Sequence, residues 1–482
     1  MKMYINGRPA SASNGEVIEV LNPATNEVVD TVPSATKEDV KSAISVAVAG
    51  EKAWAAVPLH KRMTMMQNFI DLVMEEKNHK RLAMMQCLEM GKPYKESYND
   101  FSGFKAHIEG FISAARNNLT GIVIPFGVQA GMENDFDVSI REPIGTIVGI
   151  IPFNAPLTLF AKKVAPALLS GNCCIAKPAS DDPLTILMLS ELMYEAGFPG
   201  YAYQCVTGRG ETVGEWLTAD DRIAGVNFTG STAAGKRVAE NCGRNLKYQS
   251  LELGGNAPMI VCADADIDCA VAEATACRAF YMAGQICSVP KRFIVHRSVH
   301  DKFLKKLLDK ISAVKLGDPL DPETTMGTLI SESAAKRVEA QVNRAIEQGA
   351  ILVCGNERHG AFYGPTVLDG VDTSMDIAHD VEVFGPVFPI ITFDYFDEAM
   401  DIANDTKYGL GSCIFTKDMS LGLKAALHFE AGSVVINGQS LYRNLLTPYG
   451  ANKDSGLGRE GQTQTLLAMT QTKNIVFKNI LK

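Results

Sequence analysis

The 482-residue sequence predicts an α/β protein in which two domains are each built around a parallel sheet. At roughly 100–200 residues per domain the chain holds two to four structural units, and 46% of its residues are hydrophobic, so large cores can form. From Asp137 onward, short apolar strands alternate with helices, as they do in βαβ units. The alternation resumes after Gly254 and Gly255, which places the domain boundary near residue 255.

The first 120 residues are predicted to form strands followed by amphipathic helices. The strands are 3–5, 17–21 and 28–32, and the helices are 37–55, 59–76 and 96–118. Thr36 and Asp39 suit a helix cap and the first helical turn, because their side-chain oxygens can accept from free backbone N–H groups. We therefore expect the first helix to begin at Lys37.

The remaining elements follow the alternating pattern. The first domain has predicted strands at 146–151, 173–177, 202–206 and 225–229, with helices at 162–169, 184–196 and 233–240. The second domain has predicted strands at 259–262, 293–296, 351–354 and 387–391, with helices between them. The tail, 472–482, is predicted as a lone strand that pairs with the polar, strand-like stretch 122–140.

One apolar segment has the length of a membrane span. Nineteen uncharged residues, 143–161, separate Glu142 from Lys162. Pro152, Asn154 and Pro156 would break a spanning helix and leave polar groups in lipid. A buried strand that runs into a loop is the better interpretation, and we expect no membrane association.

Charge and cysteine content narrow the function class. The formal net charge of −9 argues against a nucleic-acid partner and against an anionic membrane surface. The eleven cysteines are odd in number and scattered, no CxxC pair occurs, and the N-terminus lacks a signal-peptide pattern. We expect a cytoplasmic protein whose cysteines are mostly small core residues, and we assign no metal ligands.

Two glycine-containing segments compete as phosphate sites. Residues 456–461 match G-x-G-x-x-G, but no strand precedes them, so a tight loop with glycines at positive φ is the better interpretation. Residues 228–236, FTGSTAAGK, follow a predicted strand and open a helix that Ser231 or Thr232 can cap. An ordinary capped helix is the alternative, but 177–180, KPAS, ends a second strand at the same sheet edge and favours a nucleotide.

Three residues are candidates for catalysis. Cys287 stands apart from the other cysteines because a glycine and a polar amide flank it in 284–288, GQICS. Glu252 lies between two leucines and before two glycines, so it is either a buried general base with a raised pKa or a salt-bridged structural residue. Asn154, in a proline-rich loop, is either a loop-capping amide or an oxyanion donor.

Seven motifs occur in one order along the chain and together identify a resemblance. They are 151–156 (IPFNAP), 177–180 (KPAS), 228–231 (FTGS), 251–255 (LELGG), 284–287 (GQIC), 382–386 (EVFGP) and 455–461 (SGLGREG). The series resembles the NAD(P)-dependent aldehyde dehydrogenase superfamily, including its succinate-semialdehyde and lactaldehyde dehydrogenases, from near residue 3 to the C-terminus. Each motif is weak alone, but seven in register leave little room for chance.

The resemblance implies a domain plan and an assembly. The dinucleotide-binding domain would comprise 1–120 and 143–254, and the catalytic domain would comprise 255–450. The strands 121–142 and 465–482 would form a small β hairpin for oligomerisation. Dimers or tetramers of identical chains are expected.

The resemblance also implies roles for single residues. Cys287 would add to the aldehyde carbonyl, Asn154 would hold the oxyanion, and Glu252 would activate water to hydrolyse the thioester. NAD(P) would contact Pro152, Phe153, Lys177, Ser180, Gly210, Gly230, Ser231, Leu253, Glu382 and Phe384.

Three departures from the family pattern bear on specificity. Ser180 stands where NAD-selective members carry a Glu, which implies that NADP is accepted, with a preference for NADP as the expectation to test. Asn256 is typical of succinate-semialdehyde dehydrogenases, yet the two arginines that bind succinate there align with Lys162 and Tyr281. Phe153 and Ala155, on either side of Asn154, replace the more usual Trp and Phe, which would widen the pocket.

The predicted substrate loop is 437–448, in which we assign Tyr442 and Arg443 to the substrate. Arg443 is either a clamp for a carboxylate, phosphonate, sulfonate or phosphate, or an exposed loop arginine. We expect a small polar or anionic aldehyde of the semialdehyde, lactaldehyde or glycolaldehyde type. A CoA-acylating aldehyde dehydrogenase is the alternative, and a cysteine hydrolase is a weaker one because no motif marks a histidine partner for Cys287.

Overall fold

A computed structural model describes residues 1–481 of the protein. The N-terminal part contains β1 (Met3–Ile5), β2 (Arg8–Ala10), β3 (Val17–Leu21), β4 (Val28–Pro33), α1 (Lys37–Ala55), α2 (Leu59–Met74), α3 (Glu76–Met90) and α4 (Tyr94–Asn118). The predicted start of α1 is confirmed, because Thr36 and Asp39 form a reciprocal capping box. The helix predicted at 59–76 ends early, because Glu75 leaves the helical conformation and α3 begins at Glu76. At this end of α2 the side-chain amide of Asn78 donates to the Leu72 carbonyl.

The first sheet carries the predicted βαβ units. The next elements are β5 (Ile122–Ile124), β6 (Phe136–Pro143), β7 (Thr146–Ile150), α5 (Pro156–Leu169), β8 (Cys173–Lys177), α6 (Leu184–Glu195), β9 (Tyr203–Cys205), α7 (Glu215–Ala219), β10 (Gly225–Thr229), α8 (Thr232–Arg244) and β11 (Tyr248–Glu252). Strands β9, β8, β7, β10 and β11 are parallel neighbours in that order. Their carboxyl ends therefore share one edge, which is where open α/β sheets bind ligands.

The second sheet lies beyond residue 255. Its part of the chain contains β12 (Pro258–Val261), α9 (Ile267–Ala276), β13 (Arg292–His296), α10 (His300–Ile311), α11 (Glu332–Glu347), β14 (Ile351–Cys354), β15 (Arg358–His359), β16 (Phe362–Tyr363), β17 (Thr366–Asp369), β18 (Val387–Phe393), α12 (Phe396–Asn404), β19 (Tyr408–Gly409), β20 (Gly411–Phe415), α13 (Met419–His428) and β21 (Ser433–Ile436). The seven-stranded order is β14-β17-β18-β13-β12-β20-β21, with β14 antiparallel at one edge. Separate apolar clusters fill the spaces beside the two sheets.

The C-terminal segment joins two different sheets. It contains β22 (Asn452–Lys453), β23 (Gly456–Leu457), α14 (Gln462–Ala468) and β24 (Thr470–Phe477). The segment with the G-x-G-x-x-G pattern adds β23 to the edge of the first sheet beside β11, and its three glycines all have positive φ, as predicted. This antiparallel pairing brings residues 456–461 to the carboxyl end of β11.

The tail forms the predicted strand pairing with two differences. Strands β5 and β6 form an antiparallel hairpin, and β24 pairs antiparallel with the other side of β6 over eight residues, so the unit has three strands. Residues 465–468 are helical, because they complete α14, and β24 ends at Phe477. Within 1–481 no helix combines the length and apolar character that a membrane crossing requires.

Candidate active site

A cavity of about 590 Å³ lies where the carboxyl end of the first sheet faces the second domain. Eleven of the predicted site residues line it: Pro152, Phe153, Asn154, Gly230, Ser231, Glu252, Leu253, Cys287, Glu382, Phe384 and Arg443. Because these residues come from segments spread over nearly 300 positions, the fold is what brings them together. Lys177, Ser180, Gly210 and Tyr442 do not line this cavity.

Cys287 lies on a tight loop that a left-handed turn aims into the cavity. Met282, Ala283 and Gly284 all have positive φ, and a Cβ at Gly284 would lie 2.6 Å from the Gly385 carbonyl oxygen. The loop is held from the other side by Asn154, whose side-chain amide donates to the Gln285 carbonyl at 2.9 Å. Cys287 is partly buried, and burial raises the pKa of its thiol while the nearby Lys291 ammonium opposes that rise.

Glu252 ends β11 and has the environment of a general base. The residue is buried, and neither of its carboxylate oxygens has a hydrogen-bond partner among the described residues. Burial raises the pKa of this carboxyl well above its usual value, the charge of Glu460 raises it further, and Lys162 opposes the rise. Glu252 forms no salt bridge within 1–481, so the contacts do not support the alternative of a salt-bridged structural glutamate.

Glu460 and two lysines form a charged group beside Glu252 that sequence reasoning missed. Glu460 contacts the ammonium of Lys162 at 3.3 Å and that of Lys163 at 3.4 Å. Burial opposes its ionisation, but the two lysines hold the pKa of Glu460 at about 2. Lys163 also donates to the Thr229 hydroxyl at 2.7 Å. Glu460 lies within the motif 455–461, but the sequence gives no indication that it contacts the lysines. That contact depends on the pairing of β23 with β11.

The predicted nicotinamide end is built around Glu382. Its carboxylate accepts from the Gly255 backbone N–H at 3.1 Å and contacts the Lys291 ammonium at 3.1 Å. The Phe384 ring packs edge-on against Phe153, with ring centroids 6.0 Å apart. Glu382 is still partly exposed, so its free oxygen can meet a ligand hydroxyl.

The predicted adenosine end lies beyond the cavity, between the ends of β8 and β9. The Ser180 hydroxyl donates to the Gly208 carbonyl at 3.2 Å, and buried Lys177 donates to the Pro178 carbonyl at 2.9 Å. Burial lowers the pKa of Lys177 to about 8. Gly210 begins an exposed π-helical turn, and Arg209 beside it is exposed and makes no ion pair in the described chain. Arg209 is therefore a second cation here that the sequence analysis did not select.

The phosphate loop has the predicted capped-helix geometry. Ser231, not Thr232, caps α8, because its hydroxyl accepts from the Ala234 N–H at 3.3 Å. The Gly230 N–H is bound by the Glu252 carbonyl at 3.1 Å, which ties this loop to the end of β11. The free N–H groups at this helix end lie beside the cavity and suit a pyrophosphate.

The opposite end of the cavity is cationic. The Arg443 guanidinium lies 3.7 Å from the centroid of the Tyr449 ring, and its Nη1 atom is buried without a hydrogen-bond partner in the described chain. Lys162 also lines this end, and burial together with these two cations lowers the pKa of His107 to about 3, so that its imidazole is neutral.

The assignment of Tyr442 to the substrate is not supported by its position. Its side chain is 73% exposed and does not line the cavity, whereas Tyr449, which directly follows this loop, is buried and lines the cavity. The sequence offered no way to choose between the two tyrosines, because the loop has no regular period. Tyr281, which also lines the cavity, donates its hydroxyl to Asp100 at 2.9 Å.

The family model and the similar proteins found by comparison all belong to one family of enzymes. The model of the aldehyde dehydrogenase family matches residues 10–475. The chain is 38% identical over 460 residues to succinate-semialdehyde dehydrogenase [NADP(+)] GabD of Escherichia coli (strain K12), covering 95% of this chain and 93% of that protein. It is 35% identical over 461 residues to 3-sulfolactaldehyde dehydrogenase of Pseudomonas putida, with the same two coverages.

A solved structure agrees over the whole fold. It is a point mutant of betaine aldehyde dehydrogenase from Staphylococcus aureus, in complex with NAD+ and with a BME-modified cysteine. The TM-score is 0.93 at 32% identity, and the match covers 99% of this chain and 97% of that one. The predicted α/β fold and the predicted family are therefore confirmed. This chain belongs to the aldehyde dehydrogenase family and is an oxidoreductase that acts on aldehydes.

Proposed function

We propose that the protein oxidises a short polar or anionic aldehyde to the carboxylic acid with NAD(P), through a covalent intermediate on Cys287. The observation that carries this proposal is the composition of one cavity. It holds a loop thiol, a buried carboxylate without hydrogen-bond partners, and a guanidinium with a free Nη1 atom. The substrate would be bound among these three groups.

The dinucleotide fits the residues that are present. Lys177 and Ser180 would meet the adenosine ribose, the N–H groups after Gly230 and Ser231 would meet the pyrophosphate, and Glu382 would accept from the second ribose. When bound, the nicotinamide ring supplies the acceptor for a hydride. Phe153 and Phe384 would wall this end of the cavity and exclude water.

The protein's own groups would divide the chemistry between them. The Cys287 thiolate adds to the aldehyde carbon, and the Asn154 amide and the Cys287 N–H stabilise the resulting oxyanion. Loss of hydride from that carbon leaves a thioester on Cys287. Glu252 then takes a proton from water, the water oxygen attacks the thioester carbon, and the C–S bond breaks to release the acid and the thiolate.

Ser180 and Arg209 support the use of NADP as well as NAD. A carboxylate that bound both ribose hydroxyls would repel a 2′-phosphate, and Ser180 has none. Arg209 adds an exposed, unpaired cation next to Gly208, the partner of Ser180. Asp181 is also exposed, so solvent screens its charge. We therefore propose that NADP is accepted and that it is the better cofactor.

The Arg443 end of the cavity supports a short substrate with an acidic group. Cys287 packs against a small cluster that includes Tyr449, and Arg443 lies on the Tyr449 ring. Tyr449 is therefore shared by the surroundings of the thiol and of the guanidinium. This arrangement suits a substrate whose aldehyde and acidic groups are joined by few carbon atoms. Lys162 is already engaged by Glu460, so Arg443 is the stronger candidate for the acidic group.

The first test is an assay of NAD(P)H absorbance with a panel of aldehydes. We expect oxidation of semialdehydes, sulfonated or phosphonated aldehydes and glycolaldehyde-type substrates without CoA, and a higher kcat/KM with NADP than with NAD. A strong preference for NAD would contradict the cofactor proposal. A strict requirement for CoA would instead support the acylating class of aldehyde dehydrogenase.

The second test is Arg443→Ala. Because a charged hydrogen bond contributes about 1.5–3 kcal/mol, we expect KM for anionic aldehydes to rise about ten- to a hundredfold, with little change for a neutral aldehyde of equal length. Arg297→Ala, which removes an exposed arginine that pairs with Asp394, is the matched control. An unchanged KM for every anionic aldehyde would show that Arg443 does not bind the substrate.

We also propose that the protein assembles as a dimer or tetramer of identical chains. The sheet of β5, β6 and β24 exposes apolar side chains on one face, and these include Val123, Ile475 and Phe477. An exposed apolar face of this kind is typical of a protein–protein interface, and a second copy would cover it. Sedimentation as a monomer at micromolar concentration would contradict this proposal.

The state of the cysteines supports a cytoplasmic location, which we propose for the protein. All eleven cysteines are free, and eight of them are buried. Free thiols in this number are typical of a reducing compartment. Efficient export of the protein from the cell would contradict the proposal.

A further inference from the structure

Lys291 lies behind the Cys287 loop and has no role in the chemistry described above. It is four residues after the cysteine and just before β13, and its side chain is 1% exposed. Its ammonium donates to the Cys287 carbonyl oxygen at 2.5 Å and contacts the Glu382 carboxylate at 3.1 Å. Burying a lysine costs free energy unless its ammonium is paired, and here the Cys287 carbonyl and the Glu382 carboxylate provide the partners.

The charges that act on the Cys287 thiol come from four surrounding residues. Lys291 and Arg443 favour the thiolate, while Glu382 and Glu252 oppose it. Lys291 is the stronger of the two cations, and its ammonium is in turn paired with Glu382 and faced by the buried Arg278 guanidinium. Because the site is buried, these charges are screened less than they would be in water.

We propose that Lys291 is a positioning residue that anchors the Cys287 loop by its carbonyl and stabilises the thiolate, and that Glu382 limits this effect by pairing with Lys291. This inference rests on the proposed role of Cys287 as the nucleophile. The two functions use one side chain. The hydrogen bond to the carbonyl keeps the loop in place, and the positive charge offsets the cost of ionising a partly buried sulfur.

The contact with Glu382 gives the proposal a second, opposite consequence. Glu382 neutralises part of the Lys291 charge, and its own negative charge acts against the thiolate. Removing the carboxylate should therefore favour ionisation of Cys287, whereas removing the ammonium should disfavour it. A purely structural role for Lys291 predicts no such pair of opposite shifts.

The test is the pH dependence of alkylation of Cys287 by iodoacetamide in the enzyme without cofactor, followed by mass spectrometry of the peptide that contains it. In Lys291→Met, which keeps the length of the side chain, we expect the midpoint to rise by about one pH unit and the rate below the midpoint to fall about tenfold. In Glu382→Gln we expect the midpoint to fall. Lys291→Arg should restore a midpoint close to that of the wild type.

The matched control is Lys247→Met, which removes another buried lysine that donates to backbone carbonyls, those of Thr218 and Asp220. Its midpoint should equal the wild-type value. Equal midpoints in wild type and Lys291→Met, or shifts of Lys291→Met and Glu382→Gln in the same direction, would overturn the inference. If Lys291→Met fails to fold, Glu382→Gln alone tests the inference. An unchanged or raised alkylation midpoint in Glu382→Gln would then refute the inference. Alkylation needs no turnover, so this result is independent of whether Cys287→Ser abolishes oxidation, which tests the proposed function.

Discussion

Replacement of Cys287 by serine is expected to reduce aldehyde oxidation by at least about a thousandfold while the fold survives. A serine hydroxyl ionises far less readily than a thiol, and the ester it would form has an alkoxide as its leaving group, which departs less readily than a thiolate. Oxygen is also smaller than sulfur, and Cys287 is only partly buried, so the change is easily accommodated. The measurement is kcat/KM for the best aldehyde of the panel, with circular dichroism and thermal unfolding as checks of the fold.

Cys269→Ser provides the matched control for this prediction. Cys269 is also a partly buried free thiol, but it lies on α9 and does not line the cavity. We expect it to keep the activity of the wild type. If Cys287→Ser retained a tenth of the wild-type activity, the covalent mechanism on this residue would be wrong.

Replacement of Glu252 by glutamine is expected to slow turnover by roughly a hundred- to ten-thousandfold and to reveal a burst of NAD(P)H. The amide has nearly the same shape as the carboxyl group but cannot take a proton from water. The steps up to the thioester should still occur, so one equivalent of NAD(P)H per active site should form rapidly before hydrolysis limits the rate. Stopped-flow absorbance measures both phases.

Glu240→Gln, on the exposed face of α8, is the control for this substitution and should show neither effect. Hydroxylamine should restore turnover to Glu252→Gln, because it attacks the thioester without needing a general base. A burst-free variant that hydroxylamine does not rescue would place Glu252 before the thioester, or outside the reaction.

Glu252 is also expected to set the pH dependence of thioester hydrolysis. Glu252 must be ionised to act as a base, and burial and Glu460 raise the pKa of its carboxyl. Hydrolysis of the thioester should therefore increase with pH and reach its plateau at a higher pH than an ordinary glutamate would allow. The acid limb should be lost in Glu252→Gln, which the pH profile of the slow phase can show.

The elements and three catalytic candidates could be predicted from the sequence because their signals are local. The cap at Thr36 and the strands that end at Lys177 and Thr229 depend on residues within a few positions of each other. The positive φ angles of the glycines in 456–461 could likewise be predicted, because a residue without a side chain adopts them readily. Local signals failed where distant parts of the chain decided the outcome, as at Glu460, which the pairing of β23 with β11 brings beside Glu252.

By itself the sequence determined the α/β class, the family, and the selection of Cys287, Glu252 and Asn154. Only the tertiary structure decided which charges surround them. Glu460 acts on Glu252 from 208 positions away because β23 pairs with β11, and Glu382 meets Lys291 across 91 positions. Electrostatic energy and pKa depend on distance in space and on burial, and neither quantity is encoded in short-range patterns of residue type.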